Sequence, residues 1–258
     1  MRMFVRLAAA GLLLAASGGV ASGQTVKVGF SPEAYPPFWS ADASGKWTGW
    51  EVEIIDAICA EAKLTCELTP IPWDGLIPAL TTSKIDAIMN SMSITDERKK
   101  TIDFSDKYYN TPTAVAGPKG ENFTPDAAGL KGKIIGVQVS TVHAAYVKKH
   151  FTEAAEIKEY QTQDEANQDL AAGRIDATQA DSIALDGFIK TEQGQACCDI
   201  KGNVAEDLEI LGPGVGAGIR QGDTELKEKL NAGIKAIRDN GKYKEITSKY
   251  FDFDIYGG

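Results

Sequence analysis

Residues Leu80–Ala87 read LTTSKIDA and residues Leu170–Ala177 read LAAGRIDA, and this internal echo decides the fold. In each copy a helix end with small residues leads through a basic residue into a short strand, expected at Ile85 to Met89 and at Ile175 to Thr178. Each copy also follows an earlier strand that runs into a polar loop: Val26 to Phe30 before Ser31, and Ile134 to Val139 before Ser140. Two βαβ-like units are the economical reading.

The helices between these strands are marked by periodicity and caps. From Trp50, apolar residues recur at Ile54, Ile55, Ile58 and Ala62, which predicts a helix with one buried stripe. Glu51, Glu53, Asp56 and Glu61 are assigned to its solvent face. Thr162 and Glu165 form a capping-box pattern before a helix ending near Gly173. Asp223 or Thr224 caps a helix reaching about Asn240, Gly241 stops it, and a short helix follows. Such alternation of strands and helices predicts an α/β fold with parallel, buried sheets.

Two segments read as crossings. Tyr108 to Pro118 is extended and Pro-bearing, and Leu208 to Ile219 is apolar and Gly-rich. With both as hinge strands, residues 24–109 and 212–258 make a discontinuous first lobe and residues 110–211 a second, with a cleft between them. The glycines at 212, 214, 216 and 218 lack the Gly-Lys-Ser/Thr ending of a phosphate loop, so they read as a flexible or tightly packed strand.

Outside these units, Met1 to Arg6 followed by an apolar run from Leu7 to Ala16 and the small residues Ala21, Ser22 and Gly23 form a secretory leader, residues 1–23, cleaved before Gln24. The run is too short for a membrane anchor, and no Cys stands at the cleavage point to carry a lipid. Removing the leader takes two of the 27 basic side chains and none of the 36 acidic ones. An acidic exported chain is a poor partner for nucleic acid or an anionic membrane. With 43% hydrophobic and 24% charged residues, the chain is expected to be globular rather than disordered. Export permits disulfides among the four Cys. Cys59 and Cys66 would close a short loop. The adjacent Cys197 and Cys198 would form a strained ring, or stay free, buried or paired between molecules. No Cys-x-x-Cys or matched His spacing supports a metal site, and no cofactor is expected.

The densest polar run, Asn90, Ser91, Met92, Ser93, Ile94, Thr95, Asp96, Glu97, Arg98, follows the first echo. Open α/β sheets place ligands at such strand ends. Arg98 is a candidate to hold a carboxylate through two parallel hydrogen bonds, assisted by Ser91 and Ser93; the alternative is a solvated first helical turn. The corresponding strand end of the second unit supplies Ser140, Thr141, Val142 and His143, and Asp181 follows the second echo as a candidate acceptor for an ammonium group. Tyr35 and Trp73 are candidate pocket rings, with core or rim packing the simpler role for Trp73, and Glu33 is a candidate to select a basic side chain.

The runs GFSPEAYPPF, IPWDGLIPALTTSKIDAIMNSMSITDERKKTIDFSDKYY, LKGKIIGVQVSTVH and AGRIDATQAD, and the ending KYFDFDIYGG, resemble the family 3 solute-binding proteins of amino-acid ABC transporters, in particular the lysine/arginine/ornithine-binding and histidine-binding proteins. The likeness covers essentially the whole mature chain. It implies a two-lobed, type II periplasmic binding protein fold, each lobe a mostly parallel sheet flanked by helices, that closes on an amino acid by hinge motion and delivers it to a membrane permease. It places an α-carboxylate clamp on Arg98, Ser93 and Thr141, α-amino acceptors on Ser91 and Asp181, pocket aromatics on Tyr35 and Trp73, and a disulfide on Cys59 and Cys66. The chain departs from the pattern in its loop before Tyr35, where Glu33 replaces an aligned Asp, at Asn90, where Ser is usual, and at Val142 and His143, where Thr and Gln occur. The loop also resembles that of opine binders. The resemblance implies a periplasmic monomer. An enzyme resembling cyclohexadienyl dehydratases, with Glu33 or Asp181 as acid, is the competing function. A sensor ectodomain is disfavoured, since no membrane-spanning stretch follows the last helix.

Overall fold

A computed structural model describes residues 24–153 and 155–257; the leader assigned to residues 1–23 lies outside them. The strands are β1 (Gln24–Phe30), β2 (Ser40–Ala41), β3 (Trp47–Thr48), β4 (Leu64–Pro70), β5 (Ala87–Ile88), β6 (Asp103–Tyr109), β7 (Thr113–Pro118), β8 (Ile134–Gln138), β9 (Glu156–Tyr160), β10 (Ala177–Asp181), β11 (Cys198–Asn203) and β12 (Val215–Ile219). The helices are α1 (Trp50–Glu61), α2 (Leu76–Thr81), α3 (Asp96–Lys99), α4 (Val142–His150), α5 (Gln163–Ala171), α6 (Ser182–Ile189), α7 (Glu192–Cys197), α8 (Leu208–Leu211), α9 (Thr224–Asp239) and α10 (Lys242–Thr247).

The echoed IDA does the same job twice. After α2 the chain turns at Ser83, with φ 60°, and after α5 it turns at Gly173, with φ 69°. Asp86 then accepts a hydrogen bond from the Lys27 N–H at 3.0 Å, and Asp176 accepts one from the Ile134 N–H at 2.7 Å. Each aspartate thus pins a returning segment to the strand that opened its unit. The isoleucines before them, Ile85 and Ile175, lie over Gly29 and Gly136, where any Cβ would overlap their Cδ1 atoms. Both glycines are there for close approach, and both isoleucines are buried.

Two five-stranded sheets result, ordered β4-β1-β5-β12-β6 and β11-β7-β10-β8-β9. The expectation of parallel sheets needs correction, because each is mixed. In the first only β12 runs against the others, and in the second only β7. The reason is geometric. The chain leaves β6 at its carboxyl end, passes through Asn110, Thr111 and Pro112, and enters the second sheet from the side where the parallel strands end, so β7 must run backwards. It returns from the carboxyl end of β11 in the same way and enters as β12. The two predicted echo strands also shift, to Ala87–Ile88 and Ala177–Asp181.

Helix α1 buries Trp50, Ile54, Ile55 and Ile58 completely against the first sheet and α9. The assignment of Glu51 to its solvent face is wrong: Glu51 is fully buried. The capping box of α5 is present, and Asp223 caps α9 by accepting from the Leu226 N–H. Of the predicted Gly-rich crossing strand, Leu208–Leu211 instead forms α8 and only Val215–Ile219 is a strand, β12, buried and packed against Ile94 and Ile88. Cys59 and Cys66 are bonded, with 6.1 Å between their Cα atoms, tying α1 to β4, and Cys197 is bonded to Cys198 at the start of β11. Among the described residues, no helix is long and apolar enough to cross a membrane, and no cluster of potential metal ligands is found.

Candidate functional site

The carboxyl ends of both sets of parallel strands face one cleft with about 580 Å³ of empty space, and all ten residues singled out from the sequence line it: Glu33, Tyr35, Trp73, Asn90, Ser91, Ser93, Arg98, Thr141, His143 and Asp181. The first six, with Arg98, come from loops of the first sheet; the last three come from the second.

Arg98 is positioned by its own helix start. Thr95 caps α3 by accepting from the Arg98 N–H, which turns the side chain back along the Ser91–Ser93 loop. Its Nη1 donates to the Ser93 carbonyl at 2.9 Å and its Nη2 to the Ser140 carbonyl across the cleft at 3.2 Å. The guanidinium lies 5.6 Å from the Trp73 ring centre. Burial pushes its pKa down to about 10, so it stays cationic at neutral pH, and no carboxylate of the described residues pairs with it. Opposite it, Ser140 holds a left-handed turn with φ 59°, and α4 begins. The Thr141 hydroxyl is already committed: it accepts from the Ala144 N–H and donates to the Gln138 carbonyl at 2.7 Å. What α4 offers the cleft is therefore backbone N–H groups at its first turn, with the favourable end of the helix dipole behind them.

Asp181 is the acidic counterpart. It accepts from the Tyr35 hydroxyl at 2.8 Å and the Thr111 hydroxyl at 2.6 Å, and His143 Nε2 stands 3.7 Å away. Burial alone would raise its pKa; His143, Thr111 and Tyr35 outweigh burial and hold it below the ordinary aspartate value. Burial, then the charge of Asp181, pushes the Tyr35 phenol well up, so that hydroxyl remains a donor. Tyr35 belongs to the first lobe and Asp181 to the second, so their bond, like that of Arg98 to Ser140, spans the cleft. The backbone of Gly187 in α6 also approaches the Pro36 carbonyl. These contacts describe a closed arrangement.

Ser91 sits in a left-handed conformation with φ 55°. Asn90 is fully buried; its Oδ1 accepts the Ser31 N–H at 2.6 Å, and since a backbone N–H only donates, this fixes the amide orientation. Its Nδ2 is then left without a partner in the protein. The Ser31 hydroxyl donates to Glu33, whose carboxylate lines the cleft, and Trp39 Nε1 donates to the Glu33 carbonyl, fixing that loop. Trp73 packs, partly buried, against the cluster that includes Leu76, Leu80 and Ile85, and it also lines the cleft. Sequence reasoning missed Ser31, Trp39, Gln138, Thr162 and Gln163 as cleft residues, and Thr111 as a partner of Asp181. Ser31 and Gln138 lie two positions from Glu33 and Ser140, at the same strand ends; Trp39, Thr111, Thr162 and Gln163 stand farther from any residue named for the site.

The family model for bacterial extracellular solute-binding proteins, family 3, matches residues 26–253. The chain is 44% identical to the L-arginine-binding protein of Pseudomonas aeruginosa, over 100% of this chain and 99% of the relative. It is 38% identical to the histidine-binding periplasmic protein of Salmonella typhimurium, over 91% and 90% of the two chains. Among solved structures, an ancestral arginine-binding protein bound to arginine superposes with a TM-score of 0.81 at 33% identity, covering 89% of this chain and 99% of that one. With two mixed sheets joined by paired crossings, a cleft at their carboxyl edges and this full-length match, the chain belongs to the family 3 bacterial extracellular solute-binding proteins.

Proposed function

We propose that the protein is the periplasmic receptor of an importer for polar amino acids, with L-arginine and other basic amino acids as its ligands, and that it acts by capture and release rather than by turnover. The observation that carries this reading is a separated pair of opposite charges: Arg98 and Asp181 face the same cleft, neither neutralises the other, and each keeps bonding capacity toward the space between. That is the complement of a zwitterion. The α-carboxylate lies on Arg98, the Ser93 region and the first-turn N–H groups of α4; the α-ammonium lies on Asp181 and Ser91. The side chain then runs toward Glu33, which neutralises it, between the rings of Tyr35 and Trp73. Residues 24–109 and 212–257 act as one lobe and 110–211 as the other, hinged near 108–118 and 208–219, and the closed form docks on a membrane permease.

A second ligand class is favoured by Asn90. Its buried Nδ2 has no partner in the protein and needs an acceptor, which a guanidinium does not supply. A side chain ending in a carbonyl or carboxylate, as in an opine, does supply one. A thermal-shift and calorimetric screen of ligand-free protein against the twenty amino acids, ornithine, octopine and nopaline separates the two. A ligand at about 100 times its Kd should stabilise by about 2.7 kcal/mol. Selective response to arginine, lysine, ornithine or histidine, lost on Glu33→Ala, supports the first reading; response to opines alone moves the assignment to the second; no response to any of them sinks both.

A further inference from the structure

Glu51 is the second residue of α1, fully buried, and does not line the cleft. Its Oε1 accepts from the Ser91 N–H at 2.8 Å and from the Tyr108 hydroxyl, and its Oε2 accepts from the Ser91 hydroxyl at 2.9 Å. One carboxylate thus grips Ser91 by both of its donors while Ser91 holds a positive φ that a serine adopts only at a cost.

We infer that Glu51 is a positioning residue of the amino-acid site: it takes the single hydrogen of the Ser91 hydroxyl, so that Ser91 Oγ faces the cleft as an acceptor only and receives the ligand's ammonium group. The inference rests on the assignment of Ser91 to the α-ammonium. A serine hydroxyl carries one hydrogen and two lone pairs. With the hydrogen on Glu51, only lone pairs remain for the ligand, and the carboxylate behind them makes that oxygen a stronger acceptor.

A purely structural role would not require a charge. An ionised carboxylate without an ion pair is among the least favourable groups to bury, and an amide would fill the same space. The groups facing Glu51 supply no cation: Tyr108 and Tyr109 from β6, Tyr35 from the loop after β1, Ser91 from the loop after β5, and Asp181 from β10. Burial raises its pKa from 4.5 to about 7 against the hydrogen bonds of Tyr108 and Ser91, and the charge of Asp181 adds to the rise. An ammonium held between Ser91 and Asp181 supplies the missing positive charge, favours the ionised form of Glu51, and expels its proton when binding occurs near pH 7.

The test is Glu51→Gln, read by calorimetry with L-arginine and with 5-guanidinopentanoate, which is arginine without its α-amino group. In the variant the retained oxygen still accepts from Ser91 N–H and Tyr108, but the amide nitrogen must donate to Ser91 Oγ, turning the serine hydrogen toward the ammonium. At pH 8 the variant should lose roughly 10- to 100-fold in affinity for L-arginine, the range expected for a hydrogen bond to a charged group, and change little toward the analogue. In the wild type the preference for arginine over the analogue should weaken as pH falls from 8 to 6, and the variant should not show that pH dependence. Equal loss for both ligands, no loss for arginine, or a wild-type preference that does not vary with pH would overturn the inference. A wild type that binds arginine no better than the analogue would instead overturn the α-ammonium assignment beneath it, whatever the variant does.

Discussion

Replacing Tyr35 by Phe removes one hydroxyl and leaves the ring in place, and it isolates the bond that joins the two lobes across the cleft. The phenol donates to Asp181 at 2.8 Å, and the ring remains held by Phe38 and Trp39, with centroids 5.7 and 5.2 Å away. A hydrogen bond to a charged group contributes about 1.5–3 kcal/mol. In the open form both Tyr35 and Asp181 recover water, and Asp181 keeps Thr111 in either form, so the low end applies. About 1.4 kcal/mol is a factor of ten in the closing equilibrium. Because this bond forms after ligand enters, the loss should appear as dissociation about tenfold faster in stopped-flow displacement of L-arginine, with association nearly unchanged. The melting temperature of the ligand-free protein should move little. A dissociation rate within twofold of the wild type would refute the view that this bond holds the lobes together.

Arg98→Met keeps the length of the side chain and deletes the charge opposite the α-carboxylate; L-arginine binding should weaken by at least about 100-fold in calorimetry, and Arg98→Lys should recover only part of it, since an ammonium lacks the planar fork. The stability of the ligand-free protein should depend on Glu51. Its carboxyl, at about 7 when folded against 4.5 ordinarily, holds its proton more tightly in the folded chain, so this stabilisation is full below about pH 4.5 and is lost as pH rises through 7. The amount is about 3 kcal/mol on linkage, and Glu51→Gln should abolish this part of the dependence and raise the melting temperature at pH 8. Gln179 is fully buried on β10 with neither end of its amide partnered by the protein. Gln179→Met should stabilise by about 1 kcal/mol, seen as a rise of about 2–4 °C in melting temperature; a fall would show that the amide is satisfied in solution.

The two units and the strand ends that line the cleft were legible because they are written locally and twice. The two IDA segments encode a turn, a buried isoleucine and an aspartate that reaches a neighbouring strand, and each of these leaves a mark in sequence. Ser91, Arg98, Thr141 and Asp181 were legible for the related reason that polar residues at the ends of apolar strands have few structural uses. The reversal of β7 and β12 was not, since it follows from where the chain crosses between sheets, and no residue type encodes that. Nor was the commitment of the Thr141 hydroxyl to capping α4, although Thr at a helix start carries that option in any sequence.

Glu51 shows where composition and periodicity gave opposite answers. Counting from it, Ile54, Ile55 and Ile58 fall at i+3, i+4 and i+7, so Glu51 stands at the head of the apolar stripe and its position is buried by the same arithmetic that buries the isoleucines. Assigning it to solvent followed from its charge alone. A charged residue in phase with a buried stripe is a conflict between residue type and position, and in a folded protein such a conflict persists only where something offsets it. Here the offset is visible in part as three donated hydrogen bonds, from the Ser91 N–H, the Ser91 hydroxyl and Tyr108. They leave a negative charge on Glu51 without an ion pair, and burial, with the charge of the half-buried Asp181 adding to it, holds its pKa up at about 7. On the inference that Glu51 positions Ser91 for the ligand's ammonium group, its place in the periodic pattern carries information about the ligand that neither its residue type nor its distance from the cleft discloses.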